Sequence, residues 1–336
     1  MFGFAGTGKT TLAKHFAESV GGEVLFAAYT GKAALMMRNN GCDGAMTIHS
    51  LIYKAEETDD GNVEFKLNHS SPLRTASLLI IDECSMVDET LAKDVLRFKV
   101  PVLVLGDPAQ LPPVSGAGYF TNGEPDVMLT EIHRQAQDNP IIYLATQVRE
   151  GKKLSPGTYG DSIIAAEINS MTELVEYDQV IVGRNTTRKM LNDTIRGMIG
   201  RESILPVSGD RLICLKNDKK MGILNGEMFH VVSLPKAKVT SDYTRYSIID
   251  VDTGDKRVTP RVHNSCFDGT PKPDWQQLKG TQEFDYGYAI TAHKSQGSQW
   301  NNVVIFDESW CFREDANRWL YTAITRAQNK ILVYQT

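Results

Sequence analysis

The stretch Gly3-Phe4-Ala5-Gly6-Thr7-Gly8-Lys9-Thr10, followed by Thr11, decides how this chain is read. It has the form GxxxxGKT, a phosphate-binding loop. Gly3, Gly6, Thr7 and Gly8 let backbone N–H groups curl round phosphate oxygens. Lys9 has the reach for β- and γ-phosphates, and the Thr10 hydroxyl is a Mg2+ ligand. The helix that follows offers its N-terminus, with Thr11, to the anion. Such a loop normally hangs from the end of a strand, yet only Met1 and Phe2 precede it.

Downstream, Leu12, Ala13, Phe16, Ala17 and Val20 mark one face of a helix that Gly21-Gly22 stops. Residues 23–28 read as a strand, and 33–37 lie on a helix ending at Asn39-Asn40-Gly41. Two near-continuous apolar runs, 78–81 and 102–105, end in Asp82-Glu83 and Asp107. Runs of that kind suit parallel strands covered on both faces, with function at their carboxyl ends. A similar layout returns after residue 138, with strands at 178–182, 303–306 and 331–334 and a helix at 187–199. Residues 211–280 change to β-type alternation, with turn signals Asn225-Gly226 and Thr253-Gly254-Asp255 and the Pro271–Pro273 segment. A shorter insertion at 53–72 holds the turn signal Asp59-Asp60-Gly61-Asn62 followed by Val63-Glu64-Phe65, a hairpin.

A length of 336 residues predicts two or three compact units, and a 41% hydrophobic fraction is that of an ordinary globular chain. The net charge of −5 gives no global basic footprint, though a local basic groove is compatible with it. Five cysteines without a CxxC pair read as reduced thiols of a cytoplasmic protein. His263 and Cys266 lack the second pair that a zinc site needs. No apolar run is long enough to span a bilayer and no signal peptide opens the chain, so no membrane partner is expected. Neither an NKxD guanine-reading motif nor a nuclease-like carboxylate cluster is visible.

Asp82-Glu83 at a strand end is the natural partner of a phosphate loop. Asp82 would hold Mg2+, directly or through water, while Glu83 orients and deprotonates the attacking water. Gln110, in Gly106-Asp107-Pro108-Ala109-Gln110-Leu111-Pro112-Pro113-Val114, carries an amide suited to a terminal phosphate or water. Arg134 and Arg326 are the candidates for stabilising charge on a transferring phosphoryl group.

Eight motifs occur in order: the phosphate loop; Ala28-Tyr29-Thr30-Gly31-Lys32-Ala33-Ala34; Thr47-Ile48-His49; the run 80–88; the run 106–114; the Arg134 motif; Ile290-Thr291-Ala292-His293-Lys294-Ser295-Gln296-Gly297; and the Arg326 motif. This combination resembles superfamily 1 helicases, subgroup B, above all the Dda-type phage helicases and RecD. The stretch 139–151 looks particularly like the Dda type. The resemblance implies an α/β chain of two RecA-like P-loop domains with parallel sheets, plus a β-hairpin insertion and a small SH3-like β insertion. The first domain would span 1–137 with the 53–72 hairpin as a strand-separating pin, the second 138–210 and 281–336, and the SH3-like insertion 211–280. ATP and Mg2+ would sit between the domains. Lys9, Thr10, Asp82, Glu83, Gln110, Arg134 and Arg326 fall on ATP-hydrolysing positions, with Gly297 among the nucleotide contacts. Thr30, Lys32, Thr47, His49, Thr291, His293 and Gln296 fall in motifs that line a DNA track or couple it to ATP. Hydroxyls and ammonium groups suit phosphodiester contacts, and a ring such as His49 suits base stacking. Phe65 would be the wedge of the pin, and Trp275, Lys272 and Lys279 are further DNA candidates.

The function so implied is 5′ to 3′ translocation on single-stranded DNA with unwinding of the duplex. Alternatives left open are a RecD-like motor subunit or binding module of a recombination or repair complex, a translocase that remodels protein–DNA complexes, and an RNA-directed relative. The expected partners are single-stranded and forked DNA, with single-strand-binding or replication and recombination proteins, and the expected state is a cytoplasmic monomer. Two features depart from the pattern. Tyr29 stands where relatives carry proline, and the upstream strand and adenine-reading glutamine of relatives do not fit into Met1-Phe2. The expectation is a reading frame that starts upstream, a fragment, or a divergent phage protein.

Overall fold

The computed structural model describes residues 1–57, 63–112, 118–121, 123–131, 138–168, 170–218, 221–233, 242–251, 254–274 and 276–336, the side chains of 55–57 and 63–65 lying outside that description. The first half begins with β1 (Phe2–Gly3), α1 (Lys9–Ser19), β2 (Val24–Ala28), α2 (Gly31–Asn39), β3 (Met46–Thr47) and α3 (Ile48–Ile52). A hairpin of β4 (Tyr53–Glu57) and β5 (Val63–Leu67) follows, then β6 (Leu78–Asp82), α4 (Glu89–Leu96), β7 (Val102–Val104) and β8 (Met128–Leu129). Strands β3-β2-β6-β7 form a parallel sheet in that order. Its central residues Ala27, Leu79, Ile80 and Ile81 are buried, as strands with both faces covered require.

The strand that feeds the phosphate loop is the two-residue β1. It pairs in parallel with Met128–Leu129 and bridges to Gly106, and the Met1 ammonium donates to the Val104 carbonyl at 2.9 Å. Backbone groups of β7 and β8 on either side therefore find partners in Met1 to Gly3. One expectation for α1 needs correction. Ala13 is buried, but Phe16 is 44% exposed, so the helix rests on the sheet along a narrower stripe than its apolar spacing suggested.

The second half continues with α5 (Pro140–Arg149), β9 (Gly157–Tyr159), β10 (Ser162–Ala165), β11 (Gln179–Val182) and α6 (Asn185–Met198). Next come β12 (Arg211–Cys214), β13 (Met228–Ser233), β14 (Tyr243–Arg245), β15 (Ser247–Asp250), β16 (Arg257–Val258), β17 (Arg261–His263) and β18 (Phe284–Tyr286). The chain closes with β19 (Ala289–Thr291), α7 (Ala292–Ser295), β20 (Trp300–Asp307), α8 (Ala316–Ile324) and β21 (Ala327–Gln335). A six-stranded sheet runs β19-β11-β20-β21-β10-β9, parallel except for β9. Helices α5 and α8 cover one face through Ile141, Leu144, Trp319 and Ile324.

Between these elements lies an antiparallel sheet of order β16-β15-β13-β12-β18, with a separate β14–β17 ladder. Its last strand, Phe284–Tyr286, lies beyond the 280 limit drawn from sequence, because Leu212, Ile213 and Cys214 pair directly with Tyr286, Asp285 and Phe284. The expected hairpin at 53–72 is present as five register pairs of β4 and β5, while its turn residues 58–62 lie outside the described residues.

A buried ion pair ties α6 to the start of the antiparallel sheet. Arg196 Nε and Nη2 reach Asp210 Oδ1 and Oδ2 at 3.1 and 3.0 Å, and Asp210 Oδ2 also accepts the Val207 N–H at 2.7 Å. Removing one partner strands the other charge away from water. Arg196→Ala is therefore expected to cost about 3–5 kcal/mol of stability. Urea unfolding of the variant beside the wild type measures this, and an unchanged midpoint would refute it.

Candidate nucleotide cleft and adjoining channel

The loop after β1 bends at Gly6 and Gly8, which take φ of 80° and 74°. As a result Gly6, Gly8, Lys9, Thr10 and Thr11 line a cleft of about 570 Å³. Gly3 and Thr7 brace the loop from behind. Lys9 Nζ donates to the Gly3 and Phe4 carbonyls at 2.8 and 3.0 Å, and the Thr7 hydroxyl donates to the Phe4 carbonyl at 2.8 Å. Asp82, Glu83, Gln110 and Arg326 line the same cleft. Thr10 Oγ1 donates to Asp82 Oδ2 at 3.1 Å. Burial, helped by the charge of Glu83, pushes the Asp82 carboxyl up to about 6.

Glu83 sits in the left-handed region at φ 52°, ψ 47°, a conformation rare for a residue with a side chain. Its carboxylate lies 3.9 Å from Arg326 Nη1. Arg326 is buried and held by three contacts: Nε to the Thr322 carbonyl at 3.1 Å, Nη1 to the Ser298 carbonyl at 3.3 Å, and Nη2 to Thr325 Oγ1 at 3.2 Å. Gln110 Oε1 is buried without a hydrogen-bond partner among the described residues, an arrangement that calls for a polar ligand. This donor set fits a nucleotide with Mg2+: an ammonium, a hydroxyl, two carboxyls and an unpaired amide oxygen facing one cleft. Arg134 lies outside the described residues.

The two halves are joined at the back of this cleft by Tyr321, Thr322 and Leu111, which the sequence reading did not single out, and by Gln296, which it placed on the DNA track. The Tyr321 hydroxyl donates to Asp107 Oδ2 at 2.7 Å and accepts the phosphate-loop N–H of Ala5 at 2.9 Å. The Leu111 N–H donates to Thr322 Oγ1 at 2.9 Å, and Gln296 Nε2 donates to the Leu111 carbonyl at 2.9 Å. Only the placement of Tyr321 and Thr322 one helical turn before Arg326 hinted at such a role.

A second, larger cavity of about 1400 Å³ adjoins the cleft. Thr30, Lys32, Thr47, His49, Thr291, His293 and Gln296 all line it. Three of these residues share a local reason for their position. Thr30 accepts the Ala33 N–H, Thr47 the Ser50 N–H and Thr291 the Lys294 N–H, so each caps a helix whose first residues face the cavity. The T-x-x spacing before each helix was the available signal. Tyr29, His49 and Tyr53 form an aromatic row, with ring centroids 5.8 Å apart at both steps. Arg188, Lys294, Leu224 and Phe312, none of them singled out from sequence, complete the wall.

Gly297, expected at the nucleotide, packs instead across the halves: a Cβ there would stand 2.8 Å from Thr30 Oγ1 and 2.9 Å from Ala33 Cβ. Gly31 meets the antiparallel insertion just as closely, a Cβ there running into the Leu224 side chain. The Phe65 side chain and Trp275 lie outside the described residues. Lys272 pairs with Glu283 at 2.7 Å.

Two family models match this architecture: an AAA domain over residues 1–162 and a UvrD-like helicase C-terminal domain over 286–334, together more than half the chain. The ATP-dependent RecD2 DNA helicase of Deinococcus radiodurans is 29% identical over 361 residues, which cover 98% of this chain and 45% of that protein. The ATP-dependent DNA helicase Dda of Enterobacteria phage T4 is 36% identical over 165 residues, which cover 45% of this chain and 37% of that protein. The Pif1 helicase from Bacteroides in complex with ADP-AlF3 and single-stranded DNA superposes with a TM-score of 0.62 at 20% identity, covering all of this chain and 88% of that one.

The chain is similar in sequence to superfamily 1B helicases of the RecD2 and Dda type. Its fold is that of the Pif1 helicases, and it spans less than half the length of these two curated relatives. Among the described residues, no helix is long and apolar enough to cross a membrane.

Burial holds the imidazoles of His49 and His293 below their ordinary value of 6.5, against the weaker pull of Asp88 and Asp315. Both are neutral in the fold at pH 7. Because the unfolded chain protonates them first, each takes stability away as pH falls through 6.5. Asp82 acts in the opposite sense: its raised folded value adds stability as pH falls through about 6. His293→Asn isolates the imidazole. The stability of the wild type relative to this variant is expected to fall between pH 7.5 and 5.5 in Mg2+-free buffer, as read by thermal unfolding. A difference independent of pH would contradict the assignment.

Proposed function

We propose that the chain is an ATP-dependent motor that moves 5′ to 3′ along single-stranded DNA and unwinds duplex DNA ahead of it. The observation that carries this reading is a shared element: Gln110 lines the nucleotide cleft, while its neighbour Leu111 is hydrogen-bonded to Gln296 of the larger cavity. A change at the terminal phosphate is thereby linked to the wall of the larger cavity. The RecD2 and Dda relatives are ATP-dependent DNA helicases by name, and the Bacteroides Pif1 neighbour is a complex with single-stranded DNA.

In this reading Lys9 leaves the loop carbonyls to hold the β- and γ-phosphates, and the amides after Gly8 receive their oxygens. Thr10 and Asp82 would hold Mg2+, which when bound neutralises charge on the phosphate oxygens. Glu83 orients and deprotonates the attacking water, Gln110 bonds the water or the terminal phosphate, and Arg326, with Arg134, stabilises charge on the transferring group. Thr30 and Thr47 from one half and Thr291 from the other offer hydroxyls to phosphodiesters, while Tyr29, His49 and Tyr53 offer ring faces to bases. The β4–β5 hairpin serves as the pin, with Phe65 as its wedge. The proposed domain limits are those drawn from sequence, with the antiparallel insertion extended to β18. A cytoplasmic monomer acting on forked DNA completes the proposal.

A second reading is favoured by one fact. The RecBCD enzyme subunit RecD of Mycobacterium tuberculosis is 24% identical over 389 residues that cover 98% of this chain and 65% of that protein, which suits a RecD-like subunit. Self-sufficiency separates the two: an ATPase stimulated by single-stranded DNA in the isolated chain supports the autonomous motor.

Lys9→Ala is expected to abolish ATP hydrolysis, and Glu83→Gln to slow it by roughly 10²–10⁴-fold while nucleotide binding survives. Retained hydrolysis in Lys9→Ala would sink the catalytic assignment. Strand displacement is expected on duplexes with a 5′ tail and not on those with a 3′ tail, and the reverse preference would overturn the polarity.

A further inference from the structure

Three neighbouring strands of the six-stranded sheet, β19, β11 and β20, point their carboxyl ends the same way. Ligands of open α/β sheets gather beyond such ends. The end of β19 carries Thr291 and His293, which line the channel. The end of β11 carries Gly183 and Asn185, which line it as well, with Arg184 between them. The end of β20 carries Glu308 and then Trp310, whose indole is 59% exposed.

These residues are fixed rather than loose. Glu308 is buried, and its carboxylate accepts the Gly183 and Arg184 N–H groups at 2.8 Å each, Arg184 Nε at 2.7 Å, and the Thr187 hydroxyl. Arg184 is thus locked through Nε while half of its side chain stays open to solvent, and its guanidinium carbon lies 5.3 Å from the Trp310 ring centroid. A large exposed ring beside a pre-positioned cation is costly to leave in water and suited to a flat π-system with a phosphate attached. Phe312, two residues on, lines the channel and meets His293 at 5.7 Å, which places Trp310 two residues from the channel wall.

We infer that Arg184 and Trp310 form a further nucleic-acid contact that prolongs the track beyond the channel, the indole stacking on a base of the single strand and the guanidinium pairing with a phosphate. The inference rests on the helicase reading. Arg184 and Trp310 themselves stand outside the channel lining, whereas their neighbours Gly183, Asn185 and Phe312 belong to it, so a strand must run past the channel to reach them.

Fluorescence anisotropy with labelled oligo(dT) of increasing length tests this on the whole chain. Trp310→Ala is expected to weaken binding of long oligomers by roughly 5- to 150-fold, to leave oligomers confined to the channel unaffected, and to be largely rescued in Trp310→Phe. Equal binding by wild type and Trp310→Ala at every length, or an equal loss at every length, would overturn the inference and leave the helicase reading standing. A wild-type chain that binds no oligo(dT) at all would overturn both.

Discussion

The architecture depends on the burial of one side chain in the wrong half of the molecule. Leu111 belongs to the loop that leaves the first sheet, yet it lies in the core of the second half with Ile141, Leu144, Trp319 and Ile324. Burying a leucine contributes about 1.5–3 kcal/mol, and here both of its backbone groups are also satisfied by the second half, through Thr322 and Gln296. The loop is thus anchored on one side by β7 and on the other by α8. Asp107, Ala109 and Gln110 have little freedom left, and Tyr321 draws the phosphate loop into the same junction through Ala5. The halves cannot shift relative to each other without moving residues that face the nucleotide.

An acidic chain lines its channel with few unopposed cations. Arg188 is paired with Asp285, and burial lowers the Lys294 ammonium from its ordinary value. Neutral groups supply most of the wall: capping threonines, the first amides of short helices, and the ring row Tyr29–His49–Tyr53. Each is pre-positioned by a hydrogen bond or a packed neighbour, so little ordering remains to be done when a strand enters. If a single strand is bound there as proposed, hydroxyl, amide and π contacts outweigh counterion release in holding it.

How far the sequence could be read follows from the range of the forces involved. The phosphate loop and the apolar strands ending in Asp82-Glu83 are local patterns, and the elements appear where those patterns stand; β4 and β5 flank the Asp59–Asn62 turn signal, whose own residues lie outside the described ones. The grouping of Thr30, Thr47, His49, Thr291 and His293 around one cavity was legible only through the resemblance. No spacing in the chain brings residue 30 to residue 291. The caps are local patterns, carried by the same hydroxyls that the resemblance assigns to nucleic acid. Tyr321, Leu111 and Glu308 were not legible, because each acts through a partner more than 100 residues away. Phe16 and Gly297 show the remaining limit. Periodicity gives a face and a motif gives a neighbourhood, but the partner that covers the face is set by tertiary packing.

The close approaches at Gly31 and Gly297 complete the argument from packing to motion. Leu224 of the antiparallel insertion sits against Gly31, and the turn at Gly297 sits against Thr30 and Ala33, with no room for a Cβ in either place. The channel therefore has walls from the first half, the second half and the insertion, all meeting at one turn that carries Thr30. Cores packed this tightly move between discrete arrangements and do not deform gradually. In the proposed motor, contacts lead from Gln110 through the Leu111 carbonyl to the Gln296-Gly297 turn and on to Thr30. The hydroxyls of Thr30 and Thr291 stand on opposite halves, so a rigid shift of one half would change their separation and with it the grip on a strand held between them.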